Sequence, residues 1–240
     1  ATGITVTTTG GRNEGLTFSN NTLLNCHVGI YIRGFAGLAP YDLYDENINV
    51  TGNTIQNLGG ASTSTCYGLY MIYYRNITVT NNNVDNMLSG GVAGTNLMYG
   101  LMISTSNDAN NQNISNNNVK LTTTTGSKYC IYASATSIAG ATNLNNNLVN
   151  FGSNASTGSA YGIYRFGNSL VSNMNNNTVG VFTQTSGIFY GLYNTSGGTI
   201  SNNTILGYTN GGTSTQYGIY CSSTTYAFTI FGNVISNIAY

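Results

Sequence analysis

The chain is poor in charged residues, and this shortage excludes several classes of protein. Of its 240 residues only six are Lys or Arg and six are Asp or Glu, so charged residues make up 5% of the sequence. A nucleic-acid-binding protein needs clustered basic residues to displace counterions from phosphates, and the sequence contains no such cluster. No apolar run reaches the roughly 18 residues of a membrane-spanning helix. We therefore predict neither a nucleic-acid partner nor a membrane span.

Cysteine, proline and tryptophan are also scarce. The four cysteines form no Cys-x-x-Cys pair, which argues against a zinc site, and their spacing leaves disulfide pairing open; they are Cys26, Cys66, Cys130 and Cys221. There is one proline and no tryptophan. Because the chain begins at Ala1 without a signal-peptide pattern, we expect a mature product or an excised segment. We predict no metal site and no cofactor.

What the sequence has instead is a repeat. An asparagine that lies two residues before an aliphatic residue and three residues after an apolar one recurs eight times, as in SNNTL at 19–23. These anchor asparagines are Asn21, Asn53, Asn82, Asn117, Asn147, Asn177, Asn203 and Asn233. Their spacing ranges from 26 to 35 residues and is 30 in three of the seven steps. A fixed period of this length indicates a repeat architecture.

The residue before each anchor is Asn in six repeats and Gly in two, Gly52 and Gly232. Asn and Gly tolerate positive φ most readily, so we predict a left-handed bend at this position. The anchor itself never varies, which indicates that its side chain is required. We expect the anchors to bond backbone groups that the bend leaves unpaired, and to stack into an amide ladder.

A second motif lies about half a period later. It reads YGLY, YGLM, YCIY or YGIY at residues 67–70, 99–102, 129–132, 161–164, 190–193 and 217–220. The aliphatic residue after the Gly or Cys, with alternating residues around it, is typical of a strand with one buried face. Gly, Ser, Thr and Asn fill loops of variable length between the motifs, where insertions are tolerated.

Short strands and turns at a period near 30, with no helical pattern, resemble the right-handed parallel β-helix family, of the pectate-lyase-like type. The resemblance covers essentially the whole chain. It implies an all-β solenoid of about eight rungs with about 30 residues per rung, in a single domain, residues 1–240. β-Propeller blades and leucine-rich repeats are the alternatives, but the period is short for a four-stranded blade and the leucine-rich pattern is missing.

The ends of the sequence suggest a function. Solenoids normally carry polar caps over their terminal rungs, and neither end of this sequence shows one. The chain is then either a fragment of a longer solenoid or a subunit that stacks head to tail, because heterologous contacts that do not close propagate into fibres. We predict a non-catalytic structural protein, extracellular or at the cell surface: a rod, fibre subunit or adhesin stalk whose partner is itself.

Glycan binding is the alternative function. Five of the six motifs and an earlier degenerate copy, VGIY at 28–31, end in a tyrosine, and we expect these tyrosines to form an outward stripe beside a flat strip of glycines; they are Tyr31, Tyr70, Tyr132, Tyr164, Tyr193 and Tyr220. Aromatic faces stack on sugar rings, which makes a polysaccharide a second candidate partner. The competing interpretation is that stacked tyrosines simply stabilise neighbouring rungs.

A carbohydrate-active enzyme is the third alternative, and it needs clustered carboxylates on neighbouring rungs. The one acidic cluster, Asp42, Asp45 and Glu46, lies in the longest insertion and has the groups for Ca²⁺ binding or acid–base chemistry. Such an insertion is more often a solvated loop. His27, the only histidine, has no nucleophile with an orienting acid nearby in the sequence. We therefore predict no catalytic residues and no enzyme activity.

Two further patterns are weak evidence for function. Eight N-glycosylation sequons occur at Asn20, Asn49, Asn76, Asn113, Asn154, Asn176, Asn194 and Asn202. This number matches what the Asn, Ser and Thr content produces by chance, so the sequons show suitability for glycosylation and no more. The threonine run at 122–125 does not recur at a fixed position in the repeat, and we expect no ice-binding face from it.

Overall fold

The computed structural model describes residues 2–60, 62–88, 91, 93–104, 111–136, 140–152, 157–167, 171–180 and 182–237, apart from the side chains of residues 208 and 210. These residues form strands, turns and bends, and no helix among them is long and apolar enough to cross a membrane. Three parallel sheets contain eight strands each, one from every rung. The predicted all-β solenoid with a period near 30 is confirmed, and it makes about seven turns from the first rung to the eighth.

The first sheet consists of the strands that carry the tyrosine motif. In rung order they are β1 (Thr2–Thr7), β4 (Val28–Arg33), β7 (Cys66–Ile72), β10 (Met98–Ile103), β13 (Lys128–Ala135), β16 (Ala160–Gly167), β20 (Phe189–Asn194) and β24 (Gln216–Cys221). Neighbouring strands are parallel, and from β7 onward the motifs pair position by position, so that Tyr67, Tyr99 and Tyr129 lie one above another.

The second and third sheets meet at the asparagine motif. The second sheet contains β2 (Thr17–Ser19), β5 (Asp45–Thr51), β8 (Tyr74–Thr80), β11 (Asn111–Ser115), β14 (Ala141–Asn145), β17 (Val171–Asn175), β21 (Gly198–Ser201) and β25 (Phe228–Phe231). The third contains β3 (Thr22–Leu24), β6 (Thr54–Gln56), β9 (Asn83–Asp85), β12 (Asn118–Leu121), β15 (Leu148–Phe151), β18 (Thr178–Val179), β22 (Thr204–Leu206) and β26 (Val234–Ser236). Strands β19 (Phe182–Gln184) and β23 (Tyr208–Asn210) form a small separate pair.

The bend between the second and third sheets has the predicted conformation in every rung. The residue before each anchor has a φ between 54° and 68°, whether it is Asn, as at Asn81, or Gly, as at Gly52 and Gly232. A left-handed residue turns the chain sharply enough for a three-residue strand to follow at once on the next side of the solenoid. The prediction from residue type alone is confirmed here.

The core consists of three apolar columns, one from each sheet. In rungs two to seven, the apolar residue before the bend, the aliphatic residue after it and the aliphatic residue of the tyrosine motif are all at most 1% exposed, as Val79, Val84 and Leu69 illustrate. Burial of such a side chain contributes roughly 1.5–3 kcal/mol relative to exposure. Stacking of rungs, which completes these columns, is therefore the main source of stability.

The glycine of the tyrosine motif faces the interior, which corrects the prediction that it shares the tyrosine side. A Cβ atom on Gly191 would lie 2.5 Å from the carbonyl oxygen of Gly218 and 3.0 Å from a side-chain atom of Ile205. Since Gly68 and Leu69 are both buried, two consecutive residues face inward. Regular alternation would place only every second residue on one side. The tyrosines before and after this pair consequently both face outward.

Candidate functional site: the ladder, the tyrosine face and the end rungs

The eight anchor asparagines form one continuous row of hydrogen bonds along the stack. Between successive rungs, the backbone N–H and the Nδ2 of one anchor both donate to Oδ1 of the next anchor. From Asn147 to Asn177 Oδ1, the backbone N–H bond is 2.9 Å long and the Nδ2 bond is 3.1 Å long. Nδ2 also donates to the carbonyl oxygen of the apolar residue one rung back, as from Asn147 to Ile114 at 2.9 Å. The side chain thus satisfies backbone groups on both sides of the bend, which would otherwise remain buried and unpaired.

This asparagine ladder has a direction. The first bond joins Asn21 Nδ2 to Asn53 Oδ1 at 2.8 Å, and the last joins Asn203 Nδ2 to Asn233 Oδ1 at 2.8 Å. Within the described residues no anchor precedes Asn21 and none follows Asn233. The first rung therefore presents an acceptor, Oδ1 of Asn21, and the eighth rung presents a donor, the backbone N–H of Asn233.

The apolar columns are open at both ends of the described stack. In the eighth rung Ile230 is 50% exposed and Ile235 is 47% exposed, although their counterparts one rung earlier are completely buried. In the first rung Phe18 and Leu23 are only partly buried. Among the described residues, the two end rungs thus expose the ends of the interior columns.

The tyrosine face contains two columns of rings rather than the single predicted stripe. The sequence did not single out the first tyrosine of each motif, which forms a second column of six: Tyr67, Tyr99, Tyr129, Tyr161, Tyr190 and Tyr217. Successive rings in this column are nearly parallel, with centroids from 4.2 to 5.4 Å apart. The signal was present, because a tyrosine precedes the Gly or Cys in six motifs.

The predicted stripe forms the other column and is interrupted once. The rings of Tyr132 and Tyr164 stack with centroids 5.2 Å apart, and those of Tyr164 and Tyr193 are tilted by 34° with centroids 4.5 Å apart. Met102 separates Tyr70 from Tyr132. Edge-to-face contacts join the two columns, as between Tyr161 and Tyr164. The inner rings cover one another's faces, so the geometry favours rung stabilisation over stacking on a sugar.

Burial raises the pKa of several phenols on this face. The pKa of Tyr99 is raised to about 12, first by burial and then by the neighbouring tyrosines, and the pKa values of Tyr129 and Tyr164 are raised for the same reasons. A phenolate in the column would lose solvation and meet other phenols at close range. These three phenols are therefore neutral under physiological conditions.

The acidic cluster of the insertion is engaged in structural contacts. Asp45 is completely buried and accepts hydrogen bonds from Thr8 Oγ1 at 3.0 Å and from the backbone N–H of Asn13 at 2.8 Å. Glu46 pairs with Arg12 at 3.0 Å. Both carboxylates thus tie the loop of the first rung to the second rung. Among the described residues no three His, Cys, Asp or Glu side chains are grouped to hold a metal ion.

The four cysteines are free thiols, so the disulfide pairing that the sequence left open does not occur in this structure. Burial raises the pKa of Cys66 and Cys130, and it raises the pKa of Cys221 to about 11. Thiols of this kind remain protonated and are poor nucleophiles. His27 lies beside Ser62, with Nδ1 3.1 Å from Oγ, and 3.9 Å from Cys66 Sγ.

The sequons fall in three environments. Asn20, Asn176 and Asn202 are exposed bend residues; Asn49, Asn76 and Asn113 lie on the outer side of the second sheet; Asn154 lies outside the described residues. Asn194 is completely buried, and its Nδ2 donates to the carbonyl oxygen of Gly197 at 3.1 Å. A glycan on Asn194 is incompatible with this fold, so that predicted site is wrong.

Two cations lie inside the solenoid, which the sequence did not indicate. Lys128 and Arg165 are both completely buried. Burial lowers the pKa of Lys128 to about 8 and that of Arg165 to about 10. The Lys128 ammonium lies 4.8 Å from the centre of the Phe182 ring, and Arg165 Nη1 donates to the carbonyl oxygens of Ala133 and Phe166. Lys128 Nζ also donates to Thr123 Oγ1 at 3.3 Å and to Gln184 Oε1 at 3.5 Å. These contacts offset part of the free-energy cost of burying the cations.

One groove beside the tyrosine face combines aromatic rings with hydroxyl groups. It has a volume of about 400 Å³, and Phe166, Tyr193 and Tyr226 line it together with threonine and serine side chains. Phe166 is 46% exposed. Among the residues that the structure describes, no charged one lines this groove. Comparisons with protein-family models, with curated proteins and with solved structures find no match to this chain.

Proposed function

We propose that this protein is a structural rod subunit that acts outside the cell or at its surface, and that its end rungs stack head to tail on further copies. The observation that carries this proposal is the direction of the asparagine ladder. The N–H of Asn233 at one end is a donor that needs an acceptor, and Oδ1 of Asn21 at the other end is that acceptor. Stacking the first rung of one copy on the eighth rung of another continues the ladder across the junction.

The apolar columns support the same junction. In the register of the existing rungs, Ile230 would lie over Phe18 of the next copy, and Ile235 would lie over Leu23. Both junction pairs join apolar residues, and the two isoleucines are about half exposed before stacking. Continuation of the columns buries these side chains, which favours association. The low charge of the chain adds little repulsion between copies.

The test is concentration-dependent assembly of the purified chain, with two lysine variants for comparison. Ile235→Lys places a charge in the interior column at the open end, whereas Leu148→Lys places the same charge on an outward, 40% exposed position of an inner rung. We expect wild type and Leu148→Lys to form rods that lengthen with concentration in sedimentation and negative-stain images. Ile235→Lys should remain monomeric. Short monodisperse rods of wild type over a wide concentration range would overturn the proposal.

A second candidate function is binding of a neutral glycan, favoured by the groove beside Tyr193. Exposed aromatic rings and hydroxyl groups without a charged lining residue suit an uncharged sugar. Retention on a panel of immobilised neutral polysaccharides tests this function. We expect Tyr193→Ser to reduce retention, while Tyr67→Ser, in the other tyrosine column, should leave it unchanged; equal retention of the two variants counts against a sugar site.

A further inference from the structure

Two central columns on the outer side of the second sheet have an unusually pure composition, although Val171, beside them on β17, is 48% exposed. The two columns contain sixteen residues, two from each rung, of which Ser115 and Ser201 are buried and the others are at least partly exposed. One column consists of Thr17, Asn49, Thr78, Asn113, Asn143, Asn173, Thr199 and Thr229, and the other of Ser19, Thr51, Thr80, Ser115, Asn145, Asn175, Ser201 and Phe231. All except Phe231 are Asn, Thr or Ser. We call these two columns the amide–hydroxyl face.

The low charge of the whole chain does not explain this purity, because the outer side of the third sheet is mixed. It exposes Leu24 and Leu148, which are 49% and 40% exposed, and it carries an ion pair between Asp85 and Lys120 at 3.7 Å. Both sides belong to the same rungs and the same sequence. The uniformity of the amide–hydroxyl face is therefore a property of these two columns.

Hydrogen bonds between rungs hold the side chains of this face in fixed positions. Oγ1 atoms of Thr51 and Thr80 are 3.2 Å apart, and Asn173 Nδ2 donates to Asn143 Oδ1 at 2.8 Å. Residues pair in register along each column. Because strands are about 4.8 Å apart and alternate residues about 6.6 Å apart, the polar groups form a regular lattice with these two repeats.

The composition of the face excludes most classes of ligand. Acidic polymers and nucleic acids need basic residues, which none of the sixteen positions provides. Protein partners are bound mainly through aromatic, apolar or arginine anchors, and sugars through aromatic faces, for which only Phe231 at one end would qualify. The ligand that remains is uncharged, and it presents a regular array of hydrogen-bond donors and acceptors.

We propose that the amide–hydroxyl face binds ice. Pre-ordered hydroxyl and amide groups hold first-layer water molecules at regular positions with little further loss of entropy. A water layer ordered in two dimensions can merge with the surface of an ice crystal and stop its growth there. The threonine run at 122–125 takes no part in this face, since Thr122 and Thr123 are buried. This inference does not depend on end-to-end stacking.

Ice shaping and inhibition of ice recrystallisation test this inference. The protein is produced in a host that adds no N-glycans, because Asn49 and Asn113 belong to the face. The matched variants are Asn143→Lys, on the amide–hydroxyl face, and Leu148→Lys, on the third sheet of the same rung. We expect wild type and Leu148→Lys to shape ice crystals and Asn143→Lys to lose this activity, with Asn143→Thr retaining it.

The controls separate a lost surface from a lost fold and from lost assembly. Circular dichroism of each variant shows whether it folds, and Thr199→Lys replaces Asn143→Lys if the latter does not. Ile235→Lys, which blocks the open end, should bind ice as wild type does. The inference is overturned if wild type leaves ice crystals unshaped, or if folded lysine variants of the face and of the third sheet are equally active.

Discussion

Inner and terminal rungs have apolar residues at the same interior positions but differ in what surrounds these residues. Ile205 and Ile235 are paired directly in the third sheet, and the first is completely buried while the second is 47% exposed. The difference comes from the rung that covers Ile205 and not from the isoleucine. In a solenoid each rung contacts only its neighbours. The contribution of a residue to the free energy of unfolding therefore depends on its position in the stack.

The asparagine ladder should show this contrast most strongly. Asn147→Ala removes the acceptor for the N–H and Nδ2 of Asn117 and the donor to Ile114. At about 1–3 kcal/mol for each buried group left unpaired, we expect a loss of about 4 kcal/mol in the free energy of unfolding. Asn21→Ala removes one bond at the open end, from Nδ2 to Asn53, and should cost about 1 kcal/mol.

Denaturant unfolding of the two ladder variants measures both values, in a background that carries Ile235→Lys so that assembly does not contribute. Equal losses for Asn147→Ala and Asn21→Ala would show that the position of an anchor in the stack does not matter.

The apolar column should show a smaller contrast. Ile205→Ala creates a cavity in a completely buried column and should cost about 3 kcal/mol, within the range typical of such changes. Ile235→Ala removes a half-exposed side chain and should cost less than about 1 kcal/mol in the monomer. Thermal and denaturant melts at low protein concentration give both numbers. At concentrations where rods form, the cost of Ile235→Ala should rise toward that of Ile205→Ala, and an unchanged cost would contradict the proposed junction.

The smallest effect concerns the ionisation of the tyrosine column. The pKa of Tyr99 is raised to about 12 in the folded chain, against about 10 in an unfolded one. The folded state therefore binds more protons between these values, so stability is fully present below about pH 10 and falls as the pH rises toward 12. Unfolding measured from pH 9 to 12 should show this fall, and Tyr99→Phe should make it shallower. An identical slope in both proteins would argue against the raised pKa.

The sequence predicted the parts of the fold that depend on single residue types at a fixed period. The bend before each anchor follows from the tolerance of Asn and Gly for positive φ, so Asn81 could be placed without a structure. The tyrosine motif was predicted less well. Strict alternation was assumed there, and the consecutive inward residues Gly68 and Leu69 break it because the glycine lies against the aliphatic column of the third sheet. The first tyrosine column was missed for that reason.

The sequence by itself determined the period, the bends and the identity of the interior columns, because these depend on backbone preferences and on the apolar pattern of one repeat. Only the tertiary structure decided which rungs bury their columns, how the ladder bonds run and which side chains share the amide–hydroxyl face. Those properties arise between rungs some 30 residues apart, and they exist only once one rung lies on the next.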